Sequence, residues 1–230
     1  VEPTGTSERG TEDQIRVVED NDEATEAWSG VLFDAFVRYR DLVVVGLAQH
    51  GEEAMRRHPP QAGSRVLDIG CGFGDTTRQL AAIIGPEGEA VGTDVSEPFI
   101  EASNAEAAEA GAGNVSFFAA DAQADDLQGP YDYVFSRMGV MFFANPVAAF
   151  RNIRGALKPG GRICFVVWRR RQDNDWMYRA QQVADQYLEA PEETDVARCG
   201  PGPFSMANAD TVSEQLAIAG YEDVTLTRCD

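Results

Sequence analysis

Three glycines spaced by single residues, Gly70, Gly72 and Gly74, follow the apolar run Val66-Leu67-Asp68-Ile69, and a second short run, Val91-Gly92-Thr93, ends in Asp94. Glycines at this density let a backbone turn sharply after a strand, and they let a ligand come closer than a Cβ would permit. A carboxylate at the end of the next strand can accept from both hydroxyls of a ribose. Together these features describe a nucleoside pocket, and the spacing says which kind. A dinucleotide fingerprint needs G-x-G-x-x-G/A, where the third small residue lets the helix pack on the strand. Here the sixth position is Asp75, and Asp68 stands two residues before the first glycine. Carboxylates in those places repel a pyrophosphate and attract an ammonium or a sulfonium.

Further along, Phe117-Phe118-Ala119-Ala120-Asp121-Ala122 reads as a third strand and its exit, and Tyr131 to Arg137 as a fourth. Leu157-Lys158-Pro159-Gly160-Gly161 reads as a turn, followed by a fifth strand that Trp168 closes. With these four motifs in order, residues 60 to 170 resemble the class I S-adenosylmethionine-dependent methyltransferases of small-molecule type, in particular the ubiquinone and menaquinone C-methyltransferases. The resemblance implies a Rossmann-like, doubly wound α/β fold with S-adenosylmethionine as cofactor and S-adenosylhomocysteine as product. It implies that Asp68, Gly70, Cys71, Gly72, Gly74, Thr76, Asp94, Val95, Asp121, Ala122 and Ser136 line the cofactor, Asp121 accepting from the adenine amino group. It also implies that the fourth strand ends beside the transferable methyl.

Methyl transfer from a sulfonium asks mainly for alignment of the acceptor and exclusion of water, so no conspicuous catalytic residue is expected. For a phenol or enol acceptor a general base helps, and His50 and His58 are the two histidines available. Arg137 can orient an anionic acceptor through a bidentate contact, or it can form a salt bridge to a neighbouring carboxylate. The acceptor pocket is expected to be apolar, drawing on Trp28, Phe36, Arg137, Met138, Phe142, Trp168 and Trp176. The same aromatic and methionine side chains also suit ordinary core packing.

The elements that position these residues follow from periodicity. Residues 1–26 carry nine acidic and two basic side chains with little apolar content, which predicts a flexible tail. From Trp28, apolar positions Leu32, Phe36, Tyr39, Val43 and Leu47 recur at helical spacing until Pro59-Pro60, which predicts one long or two short helices over residues 27–60, set over the cofactor as a lid or simply covering the sheet. Strands and helices then alternate over the core, 61–170, which argues for a mostly parallel sheet with helices on both faces. Helices are predicted near 176–189 and 208–219, and a sixth strand over Tyr221 to Cys229, in a C-terminal section running from 171 to 230. The resembled enzymes continue into a final antiparallel strand that is absent here. This reads as a shortened chain, a strand supplied by a partner, or a sheet edge covered in another way.

The chain has 230 residues and a net charge of −19, with eighteen arginines and one lysine, Lys158. That length fits one α/β domain. That charge is repelled by nucleic acid and by anionic membranes, leaving a small-molecule acceptor as the expected partner of a monomer or homodimer. No apolar run reaches the length of a membrane span and no signal peptide opens the sequence, so a cytoplasmic protein is expected. Cysteines 71, 164, 199 and 229 have no metal-ligand spacing and read as free thiols, and no metal is expected. Two other readings stay open. One is a noncatalytic relative that keeps the fold as a binding or regulatory protein; the other is a nicotinamide-dependent oxidoreductase, disfavoured by Asp68 and Asp75.

Overall fold

A computed structural model describes residues 22–188 and 201–229. Five parallel strands form one sheet: β1 (Arg65–Ile69), β2 (Glu89–Asp94), β3 (Val115–Ala119), β4 (Tyr131–Arg137) and β5 (Leu157–Val166), in the order β3-β2-β1-β4-β5. The connecting helices are α4 (Asp75–Ile84), α5 (Glu97–Glu109) and α6 (Pro146–Gly155). Three helices precede β1, namely α1 (Asp22–Ser29), α2 (Val31–Arg38) and α3 (Arg40–Arg57); α7 (Asp175–Ala184) and α8 (Ala209–Ala219) follow β5.

Strand alternation divides the core in two. On β1 and β4, Val66, Tyr133 and Phe135 face Met55 of α3 and Leu80, Ala81 and Ile84 of α4. Their neighbours Leu67, Ile69 and Val134 face Phe150 and Ile153 of α6 and Val212 and Leu216 of α8. Both sets are buried, which is why these strands read as nearly unbroken apolar runs rather than alternating ones. Register follows the same logic, Leu67 standing beside Val91 on one side and Val134 on the other. Helix ends are set by local chemistry. The Asn145 side chain accepts from Ala148 N–H, with Pro146 next in the first turn of α6, and Asn208 accepts from the N–H groups of Asp210 and Thr211 to open α8.

The α/β class and the parallel sheet with helices on both faces are as the sequence predicted. Four details differ. Among the described residues the N-terminal helices number three, broken at Gly30 and Tyr39, and Asp22–Ser29 of the first include part of the stretch read as tail; residues 1–21 of that tail lie outside the described residues, as does Cys199. Strand β5 starts at Leu157, because the Pro-Gly-Gly stretch is taken into the ladder through a register shift opposite Tyr131 and Tyr133. It ends at Val166, two residues before Trp168. No sixth strand forms over 221–229: Asp223 has φ 55°, which interrupts the extended run, and Val224 and Leu226 are exposed. The fifth strand is therefore one edge of the sheet among the described residues, and β3 is the other.

Phe150 is fully buried on α6, its ring 5.6 Å from Phe165, 6.1 Å from Phe143 and 6.2 Å from Tyr221. Phe150→Ala is expected to cost about 3–5 kcal/mol through the cavity it leaves. In urea titration this lowers the midpoint at unchanged slope.

Candidate active site

In an open parallel sheet, ligands bind where the strand order reverses, outside the carboxyl ends of the two strands that diverge there. Here that crevice lies between β1 and β4, and the residues singled out in the glycine-rich run converge on it. The two exits touch backbone to backbone. Gly70 has φ 68°, a region costly for any residue with a Cβ, and a Cβ built on it would lie 2.9 Å from Gly139 Cα. The Ser136 hydroxyl donates to Ile69 C=O at 2.8 Å, closing the floor between the strands. Met138, at φ 62°, turns the chain out of β4 and tucks its side chain into the core.

Asp94 anchors the glycine loop. Its Oδ2 accepts from Gly72 N–H and its Oδ1 from Ser96 N–H, each at 3.0 Å, and burial raises its carboxyl above the usual range. Each oxygen keeps a further lone pair, which suits the two hydroxyls of a ribose. Asp121, at the exit of β3, accepts from Gln123 N–H, and its own N–H donates to Asp125. Cys71 and Ala122 are buried, and Val95 is half-buried next to Asp94.

Asp68 is the least ordinary group in the site. It is 1% exposed, its Oδ2 accepts from the Thr77 hydroxyl at 2.7 Å, and its Oδ1 is buried with no hydrogen-bond partner. Burial pushes its carboxyl up to about 7, against the lowering pulls of the Thr77 hydroxyl and the Arg137 charge, while Asp75 and Asp94 push the same way as burial. Thr77, not Thr76, is thus the α4 threonine that touches the conspicuous carboxylate; Thr76 is buried beside it. The crevice is a negative, half-satisfied pocket suited to a cation. Arg137 is its counterweight, its Nη2 donating to Asp75 Oδ2 at 2.8 Å, which is the salt-bridge alternative of the sequence reading. A bidentate fork onto an acceptor is not available while Nη2 is so engaged.

The aromatic candidates fall into two groups. Trp28 packs edge-on against Phe36 and Phe142, with ring centroids 5.3 and 5.0 Å away, and lies near Phe99; its C=O accepts from the Ser96 hydroxyl. Phe33, Phe73 and Phe99 extend this group to the glycine loop. His50, Trp168 and Trp176 form the second group, with centroid separations of 5.8 and 6.0 Å along the row. His50 Nδ1 is buried without a partner, whereas Trp176 is 66% exposed. Arg137 adjoins this group through Gly51, since a Cβ there would come within 3.0 Å of Arg137 Cδ.

Residues 60–199 match the family model of a methyltransferase domain. The chain belongs to that family. Among curated proteins it is 41% identical over 107 residues to nocamycin O-methyltransferase of Saccharothrix syringae, covering 45% of this chain and 38% of that one. It is 39% identical over 105 residues to the ubiquinone/menaquinone biosynthesis C-methyltransferase UbiE of Ectopseudomonas mendocina, covering 44% and 40%. The matched stretch is less than half the length of either relative. Among solved structures, a SAM-dependent methyltransferase from Aquifex aeolicus superposes with TM-score 0.56 at 19% identity, covering 74% of this chain and 78% of that one. The Haemonchus contortus phosphoethanolamine N-methyltransferase 2 in complex with S-adenosyl-L-methionine gives 0.55 at 22%, covering 76% and 37%. These structural likenesses are likenesses of fold.

The Asp68 carboxyl has a testable signature. In the unfolded chain it ionises near 4, in the native protein near 7, so between those values the native state holds a proton that the unfolded state has released. Stability from this group is greatest below about pH 4, declines as pH rises to about 7, and is level above. Asp68→Asn lacks the decline, and groups not coupled to Asp68 contribute equally to both proteins. Between about pH 5 and 8 the wild type is expected to lose roughly 3 kcal/mol more than the variant, read by urea unfolding.

Proposed function

We propose that this chain binds S-adenosylmethionine and transfers its methyl group to a carbon or oxygen of a small, largely apolar metabolite. The observation that carries this reading is the buried, unpartnered Asp68 Oδ1 beside a glycine loop whose next-strand carboxylate, Asp94, keeps free lone pairs. A cationic amine meets the first and a ribose the second, whereas the carboxylates of Asp68 and Asp75 repel a pyrophosphate. Asp75, where a dinucleotide site needs a small residue, is ion-paired to Arg137. Family membership and relatives named as O- and C-methyltransferases support the same reading.

On this account Asp94 receives the ribose hydroxyls, Asp68 the ammonium, and Asp121 the adenine amino group. Gly70, Gly72 and Gly74 allow the close approach, with Cys71, Thr76, Val95, Ala122 and Ser136 around them. Bound there, the cofactor supplies a methyl group already activated on a sulfonium. The protein's work is to orient the acceptor and exclude water. Trp28, Phe36 and Phe142 on one side, and Trp168 and Trp176 with His50 on the other, supply apolar walls, and His50 Nδ1 can take a proton from a phenol or enol. The N-terminal helices over 27–60 act as the lid on the core of 61–170, with 171–230 completing the domain. A net charge of −19 favours a small neutral or weakly polar acceptor over nucleic acid or an anionic membrane. No helix among the described residues is long and apolar enough to cross a membrane.

Calorimetry with S-adenosylhomocysteine on the wild type and on Asp94→Ala, with NAD as control ligand, tests the reading. Wild-type binding is expected to weaken roughly 100-fold in the variant, the loss of two hydrogen bonds to a charged acceptor, with NAD unbound by both. Absence of wild-type binding would overturn it. Binding as expected justifies screening phenols and quinols as acceptors.

A further inference from the structure

Trp28 joins the two rims of the crevice. Its ring packs on Phe99, which follows the strand ending in Asp94, and on Phe142, which follows the exit of β4, with centroids 6.4 and 5.0 Å away. Its C=O accepts from the Ser96 hydroxyl at 3.2 Å, and Ser96, fully buried, holds Asp94 Oδ1 through its own N–H. Phe33 and Phe36 of α2 close on the same Phe99 ring, at 4.9 and 6.1 Å. Helices α1 and α2 therefore roof the site. A nucleoside that reaches Asp94 at one end and the β4 exit at the other has to pass beneath the Trp28 ring.

This roof is built to move as a unit. No side chain of α2 is fully buried, and Val31 and Val37 face solvent. The helix breaks at Tyr39, an exposed residue with non-helical backbone, φ −111° and ψ 21°. Immediately beyond the break the chain is fixed. Arg40 pairs with Glu106 of α5 and lies 4.7 Å over the Phe73 ring, and α3 ends in the core at Met55. Two helices with few buried contacts, joined to a fixed base through one non-helical residue, open at lower free energy than the sheet beneath them. We propose that α1 and α2 form a flap hinged at Tyr39, that Trp28 is its latch, and that release of the latch sets the rate at which the cofactor enters and its product leaves; this rests on the reading of the site given above. Within the lid, α3 is then the stationary part.

Two measurements on the full chain test the flap. In stopped-flow mixing with S-adenosylhomocysteine, read by protein fluorescence, the observed rate is expected to level off at high ligand concentration, at the rate of flap opening. Trp28→Ala is expected to raise that plateau roughly 10- to 100-fold, the loss of its aromatic contacts, with Trp168 and Trp176 still supplying the signal. Ser96→Ala removes only the hydroxyl bond to Trp28 C=O, keeps the N–H on Asp94, and is expected to raise the plateau roughly 2- to 10-fold. A Trp28 that merely lined the pocket would speed dissociation and leave the plateau alone, which would overturn the proposal, as would rates that stay linear in ligand. The second measurement uses no ligand. Hydrogen exchange of the α2 amides in the wild type is expected to run at least roughly tenfold faster than that of β1 and to be insensitive to urea below the unfolding transition. Exchange of α2 together with β1 would overturn the flap even where the ligand binds. A wild type that binds no S-adenosylhomocysteine overturns the cofactor reading, while the exchange pattern still decides whether the flap opens by itself.

Discussion

Everything at the carboxyl ends of the strands depends on how closely the loop after β1 passes the loop after β4. At Gly70 and Gly139 the backbones meet with no room for a Cβ: one added at 139 would lie 2.7 Å from Ile69 C=O. The contact draws two diverging chain segments to van der Waals distance just where the sheet order reverses, and the Ser136 to Ile69 hydrogen bond locks them. Side chains on both segments are then presented to one crevice, Asp68 and the loop amides from one side, Arg137 from the other. The left-handed turn at Met138 follows from the same constraint, because β4 must bend away as soon as it has made the contact. Backbone strain of this kind persists only where surrounding packing holds it, and Met138 is held by the core beneath.

A second consequence is electrostatic. Between two strands of a dry parallel sheet, a carboxylate loses its water and regains only what its neighbours donate. Asp68 regains one hydroxyl, from Thr77, and a share of the Arg137 field. The native fold is therefore less stable with Asp68 charged than with it neutral, and a ligand that brings a cation to Oδ1 removes the deficit. Binding affinity and folding cost are here one quantity seen from two sides. The Asp75–Arg137 pair beside it works the other way, since it keeps a guanidinium in a place too dry for an unpaired one and leaves one of its arms uncommitted.

The legible parts of the fold were those whose signal is local and repeated. The runs at 65–69 and 89–94, the glycine spacing, and the carboxylate ending β2 carried the sheet and the crevice, because burial on both faces leaves few polar residues within a strand, while the edge strand at 115–119 was legible from its β-favouring Val-Ser-Phe-Phe run. What escaped depended on geometry between distant segments. Nothing in the doublet Thr76-Thr77 says which hydroxyl meets Asp68; helix rotation decides it. Ser96, two residues after Asp94, had a readable cue in the Asp-x-Ser pattern that lets a carboxylate cap the N–H two residues on, whereas Phe99, on which Trp28, Phe33 and Phe73 all pack, had none. The run from Tyr221 alternates as a strand should, yet alternation cannot supply the neighbour whose hydrogen bonds a strand requires. Trp176 and Phe142 looked alike as aromatic candidates for the acceptor pocket, and long-range packing sorted one toward Trp168 and His50, the other toward Trp28.

The N-terminal helices α1 and α2 and the first turns of α3 are held by a different kind of force from the sheet itself, whereas the end of α3 is packed into the core through Met55. No side chain of α2 is buried, and Val31, Leu42 and Val45 are exposed, so this segment adds little to the core. Its attachment is a set of aromatic edges, the Ser96 to Trp28 hydrogen bond, and a cationic clasp. In that clasp Arg40 lies 4.7 Å over the Phe73 ring and pairs with Glu106, which also holds Arg78, while Arg78 donates to Phe73 C=O. Aromatic pairs contribute about 0.5–1.5 kcal/mol each and part-exposed ion pairs less than about 1 kcal/mol. Such a sum is of the order of a few kcal/mol, smaller than the 5–15 kcal/mol that typically holds a whole domain. Segments attached this weakly open before the core does. The clasp closes on Phe73, within the glycine loop, so the part of the molecule easiest to lift is coupled directly to the backbone that Asp94 anchors.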